Sequence, residues 1–176
     1  MPQRLALDPQ IAAEPGQVIA KHNHMAVRDD AIYFVDPYVG LMAMDPETKT
    51  TKTILGNGTC SIVESEGSLY CLDRANRQVD LVENGDVTTL VTLEDVGPGY
   101  PILLGVSNGY VCWMQDWTYY VQPLDSDTST VLISQENSGG ELGACTVYQG
   151  YFYCVKTLKG SLVRVSLKTG ETETLW

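Results

Sequence analysis

Ala31-Ile32-Tyr33-Phe34-Val35-Asp36 reads as one β-strand, and it returns three times along the chain. The later copies are Ser68-Leu69-Tyr70-Cys71-Leu72-Asp73, Gly109-Tyr110-Val111-Cys112-Trp113-Met114 and Tyr151-Phe152-Tyr153-Cys154-Val155-Lys156. Aligned on Phe34, Cys71, Cys112 and Cys154, they stand 37, 41 and 42 residues apart. Each is rich in the β-branched and aromatic side chains that fit a half-buried pleated surface. Each follows a short polar or glycine-containing pair: Asp29-Asp30, Glu66-Gly67, Asn108-Gly109 or Gln149-Gly150. Asn-Gly is the strongest short hairpin signal, because both residues accept the positive φ of a type I′ turn.

Working outward, every unit continues alike. A third strand follows at Gly40 to Asp45, Gln78 to Glu83, Tyr119 to Leu124 and Ser161 to Leu167. A turn and a Thr/Val-rich strand then close the unit at Thr50 to Leu55, Val87 to Leu93, Ser129 to Ile133 and Glu171 to Trp176. A first strand precedes each hairpin, around Met25 to Val27, Cys60 to Val63, Leu103 to Val106 and Cys145 to Tyr148. No stretch shows sustained 3.6-residue periodicity.

Four antiparallel strands recurring every ~40–45 residues are the mark of a β-propeller blade. A single small sheet cannot bury both faces, and stacking blades around an axis does so. The fold class expected is therefore all-β, a four-repeat propeller or partial propeller, with blades near 17–56, 57–94, 95–135 and 136–176. A sandwich of unrelated strands is the rival, and it gives no reason for the recurrence. Residues 1–16, opening Pro2-Gln3-Arg4-Leu5-Ala6-Leu7, read as an arm or as the closing strand of a preceding blade.

The 176 residues carry 11 Lys plus Arg against 22 Asp plus Glu, a net charge of -11. That balance excludes nucleic acid and anionic lipid surfaces as partners, since both call for basic faces. No apolar run nears the ~18 residues of a membrane span.

The second strands Ile32-Tyr33-Phe34-Val35-Asp36 and Leu69-Tyr70-Cys71-Leu72-Asp73 resemble the YWTD class of propeller repeat. Lys159-Gly160-Ser161-Leu162-Val163-Arg164-Val165-Ser166-Leu167-Lys168-Thr169-Gly170 is similar to the "GTVMKVPLDGG" hairpin of related bacterial propellers. The resemblance runs from about Val18 to Trp176. In the alignment above no repeat carries the motif's Trp, and its Asp stands only in the first two. The resemblance implies a scaffold that binds proteins or ligands, often outside the cytoplasm, and no shared catalytic residues. YWTD propellers have six blades and this chain has four. The expectation is a segment of a larger propeller, an arc that closes by itself, or one completed by another chain; a bare blade face favours association.

With turns centred between residues 149 and 150 and between 65 and 66, Cys145 faces Cys154 and Cys60 faces Cys71. Both spacings suit cross-strand disulfides, which would place the chain in an oxidising compartment. The equal alternative is that small apolar thiols fill a repeated core slot. Cys112 faces Gly105 and is left as a free thiol, while Phe34 faces Met25. No signal-peptide h-region is present in Met1 to Gly16.

Site candidates are few. His22 and His24 share one face of an extended strand, as two metal ligands do, but no third ligand accompanies them; a polar strand entry is favoured and no cofactor is expected. Asp125 to Ser129 with Glu136 copies calcium-loop spacing superficially, without the sharp-turn glycine. Asn57-Gly58-Thr59 is a formal glycosylation sequon. Carboxylates such as Asp29-Asp30 and Glu64 with Glu66 sit near hairpin turns, where charge is solvated. Trp113, Trp117, Tyr119 and Tyr120, with Tyr100 upstream, form the most suggestive cluster: a ligand-binding rim, or inter-blade packing. The functional expectation is a non-catalytic module binding a protein, peptide or glycan. The alternative is a propeller hydrolase or lyase with an axial metal or acid/base site.

Overall fold

The computed structural model describes residues 25–28, 30–56, 60–134, 142–156 and 160–176. They form four antiparallel sheets, each of four consecutive strands. The first blade holds β1 (Met25–Arg28), β2 (Ala31–Asp36), β3 (Gly40–Met44) and β4 (Thr51–Leu55). The second holds β5 (Cys60–Ser65), β6 (Ser68–Asp73), β7 (Gln78–Glu83) and β8 (Asp86–Thr92). The third holds β9 (Ile102–Ser107), β10 (Tyr110–Gln115), β11 (Thr118–Pro123) and β12 (Thr130–Ile133). The fourth holds β13 (Leu142–Tyr148), β14 (Tyr151–Lys156), β15 (Ser161–Ser166) and β16 (Thr172–Thr174). Among the described residues there is no helix, and so none long and apolar enough to cross a membrane.

The turns do what their residues dictate. Glu66-Gly67, Asn108-Gly109 and Gln149-Gly150 all have positive φ at both positions, the type I′ geometry that matches strand twist. They fix the registers Ser65↔Ser68, Ser107↔Tyr110 and Tyr148↔Tyr151. The expected pairs Met25↔Phe34, Cys112↔Gly105 and Cys145↔Cys154 follow. One expected pair does not. The second turn lies at Glu66-Gly67, one residue later than the centre assumed, so Cys71 faces Ile62 and Cys60 faces Asp73.

The same turns correct the alignment of the third repeat. Counting from the first paired residue after each turn, the fourth positions are Phe34, Cys71, Trp113 and Cys154. Trp113, not Cys112, is the equivalent residue; Gly109 belongs to the turn rather than to the strand. Cys112-Trp113-Met114-Gln115 therefore stands where the YWTD pattern stands, with its Trp in place and Gln115 in the Asp position. Asp36 and Asp73 at that position accept backbone N–H bonds from Tyr38 and Val39, and from Ala75 and Asn76. Gln115 instead donates to the carbonyls of Gly97 and Pro98 at 2.7 and 2.9 Å.

Alternation along each strand gives every blade two faces, and the blades stack in chain order. Tyr33 and Leu41 pack on Ile62, Leu69 and Cys71 between the first and second blades. Leu72, Val79 and Leu93 pack on Leu103, Val111 and Trp113 between the second and third. Cys112, Met114 and Tyr119 pack on Phe152, Cys154 and Val165 between the third and fourth. The core is thus three slabs between blades, as the propeller logic requires.

Candidate functional site

The first strands of the second, third and fourth blades converge at one end of the arc. Gly105 makes the convergence possible: a Cβ there would lie 2.8 Å from Val147 Cβ and 3.0 Å from Ser65 Oγ. Ser65 Oγ donates to the carbonyl of Val106 at 2.9 Å and accepts from its N–H. The three neighbouring hairpin turns are stapled together. Ser107 Oγ donates to Glu66 Oε1 at 2.7 Å, the Gln149 N–H donates to the same carboxylate oxygen, and the Gly150 N–H donates to Ser107 Oγ at 2.7 Å. Gly150 is favoured by its φ of 79°, and a Cβ there would meet Asn108 Nδ2 at 2.6 Å and displace that side chain.

Above this floor opens a cleft of about 430 Å³ lined by Glu64, Ser65, Glu66, Thr146, Val147, Tyr148 and Tyr153. Glu64 has one long ion pair, 3.9 Å from Arg28, and its side chain is half exposed. Tyr148 is 51% exposed. Two carboxylates, two phenol rings and the hydroxyls of Ser65 and Thr146 offer charge and aromatic faces to a cationic group. A second hollow of about 330 Å³, between Tyr33, Lys52 and Gly85, lies where the first blade meets the second.

The aromatic cluster read from the sequence is divided by the fold. Trp113 is fully buried against the second blade, stacked on Tyr120 at 4.5 Å, with the Arg77 guanidinium 5.4 Å from its ring. Tyr119 is buried on the opposite face, 5.1 Å from Phe152. Trp117 and Tyr100 are exposed near the other end of the third blade, in the β10–β11 turn and the β8–β9 connection. Gln115 and Gln122 tie that connection down, the latter by donating to the carbonyls of Thr92 and Ser126 and accepting from the Glu94 N–H.

None of the five cysteines is disulfide-bonded. Cys145 and Cys154 face each other in the third slab with Cys112 close by. Burial raises the Cys112 thiol well above its ordinary value, raises Cys145, and pushes Cys154 to about 11 with the help of Cys145. Cys71 shares a hydrogen bond with Cys60, which with burial holds its proton far above the usual range. Thiols so held are poor nucleophiles and act as core filler. Among the described residues no group of three His, Cys, Asp or Glu is arranged to hold a metal. His22, His24, the sequon and Glu136 lie outside the described residues, as does the 1–16 arm. Ser126 and Thr128 serve the β11–β12 turn, and Glu94 accepts from the Ser129 N–H and hydroxyl.

The sequence reading set Glu64 and Glu66 aside as solvated turn charges, and it did not single out Tyr148 and Tyr153. The signal available was positional: all four flank the type I′ turns of blades that meet at one end.

No protein-family model and no curated protein matches the chain. Solved structures do. The nidogen/laminin complex is similar at 14% identity and a TM-score of 0.51, over 82% of this chain and 59% of that one. A streptogramin B lyase is similar at 15% and 0.55, over 85% and 52%. Virginiamycin B lyase from Staphylococcus aureus is similar at 12% and 0.52, over 86% and 54%. Likeness at this identity shows the fold: the chain is a divergent β-propeller, and it spans about half the length of the chains it matches.

Proposed function

We propose that this propeller is a non-catalytic binding module that takes a protein or peptide segment bearing basic side chains at the cleft between Glu64 and Tyr148. The observation that supports the reading is the cleft itself: half-exposed Glu64 and Tyr148 stand over a floor that three stapled turns hold in place. A preorganised floor lowers the entropy cost of binding, and the net charge of -11 steers cations toward the chain. Paired carboxylates beside phenol rings favour an Arg- or Lys-bearing peptide over a glycan. The nidogen/laminin likeness adds a propeller solved in a protein complex.

The test is fluorescence anisotropy with two labelled hexapeptides, one alternating Arg and Lys with Gly, the other with Gln at the basic positions. The basic peptide binds at least about tenfold tighter, a difference of ~1.4 kcal/mol. Glu64→Gln and Tyr148→Ala each weaken it several-fold, whereas Glu83→Gln at the end of β7, outside the cleft lining, does not. Equal loss from Glu64→Gln and Glu83→Gln, with none from Tyr148→Ala, reduces the effect to overall charge and overturns the cleft. Chemical turnover of the peptide returns the chain to the hydrolase or lyase class.

A further inference from the structure

The three slabs inside the arc are built by one rule. Each blade presents to its predecessor the second and fourth residues of its second strand, with their cross-strand partners. In the first blade the same grid is Met25, Val27, Ile32, Phe34, Met42 and Met44. It is wholly apolar, whereas the second blade's grid includes Glu64 and Asp80 and the third's includes Gln122. Yet no blade covers it among the described residues; Met25 is 63% and Val27 71% exposed, and Ile32, Phe34, Met42 and Met44 are half-buried. An uncovered apolar sheet face of this kind marks an interface.

The other end of the arc carries the matching half. In the fourth blade Tyr153 occupies the place that Tyr33 and Tyr70 occupy, and Val155 the place of Val35, Leu72 and Met114, all of which pack on the following blade. Among the described residues the one cation on that face, Arg164, is already paired with Glu173 at 2.6 Å and lies over the Tyr151 ring at 4.5 Å. It therefore enters an interface without an unpaired charge.

We infer that two copies of the chain close a ring end to end, the first blade of each packing on the fourth blade of the other. The occupant is a second copy because this contact continues an interface the chain already makes three times. Four blades span about half of the longer propellers they match. Two arcs give eight blades, within the ~4–8 of known propellers, and a two-fold axis closes the assembly with two head-to-tail contacts. The contact is carried by Phe34 and Val155; Tyr153 shares the face of Val155 and also lines the cleft, so oligomeric state and peptide binding are read separately, and Glu64→Gln leaves the mass unchanged.

Light scattering on the full chain reads a mass twice 19.3 kDa at tens of micromolar. Phe34→Asp and Val155→Asp each break both contacts, raise the dissociation constant by about a hundredfold or more, and run as monomers with unchanged circular dichroism. Mixed one to one, they recover a heterodimer through the single intact contact. Should an aspartate variant lose its fold, Met42→Gln and Leu162→Gln probe the same faces. A monomeric parent chain overturns the inference and is the result expected if residues 1–24, further blades or a different protein cover the face. A ladder of higher oligomers overturns the closed ring. A dimer that survives Val155→Asp but not Phe34→Asp overturns the head-to-tail contact, as does a mixture that stays monomeric.

Discussion

Phe34 and Trp113 hold the same place in the repeat, and their surroundings differ in every respect. Trp113 lies inside the slab between the second and third blades, fully buried, stacked on Tyr120 and capped by Arg77. Phe34 lies on the uncovered face of the first blade, half-buried, with Met25 and Met42 as cross-strand partners. One position in one supersecondary unit thus serves as core or as interface, depending only on whether a blade precedes it. The blade itself does not decide which residues are core; stacking does.

The sharpest way to break this comparison is to empty the third blade's position. Trp113→Ala removes the largest fully buried side chain among the described residues. Its indole N–H has no hydrogen-bond partner, so the loss is of packing and of the ring contacts with Tyr120 and Arg77. Urea unfolding reads a loss of about 3–5 kcal/mol, the usual cost of a buried large-to-small change. A loss under about 1 kcal/mol would show that the slabs are not what holds the arc together.

Overfilling the same region is the next test. Gly105→Val forces a side chain against Val147 and Ser65 where even a Cβ is too close, and overpacking of this kind costs about 1–3 kcal/mol. Gly56→Ala is the control: a Cβ there meets nothing within 4 Å, and stability stays within about 0.5 kcal/mol. Equal effects would mean the first strands do not converge as described.

These residues also show what the sequence carried. The strands and their fourfold recurrence were legible because Asn108-Gly109 and Gln149-Gly150 state their turn type in their own chemistry. Counting from the correct turn gave Cys145↔Cys154. Counting from a centre one residue early shifted the partners of Cys60 and Cys71 by two positions, which leaves both on one face and in one cluster but no longer opposite each other. A separate slip, starting the third strand at Gly109 rather than Tyr110, hid Trp113 behind Cys112, and with a period of two that one residue changes the face. Trp113, Tyr119 and Tyr120 look like one cluster because they are near in sequence, yet alternation sends Tyr119 to the other side of the sheet. The cleft was illegible for the converse reason: Glu64, Glu66, Tyr148 and Tyr153 come from blades some eighty residues apart, joined only by the stacking.

The second blade offers a test by pH. Asp80 occupies the grid position facing Cys71, nearly fully buried, with Oδ1 unpartnered. Burial raises its pKa, with Asp73 adding and a hydrogen bond to Thr89 opposing. A carboxyl whose folded pKa is raised stabilises while protonated, below its unfolded value of about 3.9, and loses that contribution as pH rises through the folded pKa. Asp80→Asn cannot ionise. It is therefore more stable than the parent at neutral pH, by less than either loss above, and the advantage fades below about pH 4. Thermal unfolding from pH 3 to 8 reads it; an advantage that grows toward acid reverses the assignment.

The smallest effect belongs to the residue that opened the comparison. In a single arc Phe34 covers little that solvent does not also reach, so Phe34→Ala lowers the stability of the dilute chain by less than about 1 kcal/mol, the range of surface changes away from the core. If a second copy packs on that face, the effect must depend on concentration, because association stabilises the folded state by mass action. The parent chain's melting temperature then climbs with protein concentration and that of Phe34→Ala climbs less, so the two curves diverge on concentration and meet on dilution. Trp113→Ala, acting within one arc, shifts the curve by the same amount at every concentration. Parallel curves for Phe34→Ala would make the first blade's face an ordinary surface, and the equivalence of the two positions would then be one of sequence alone.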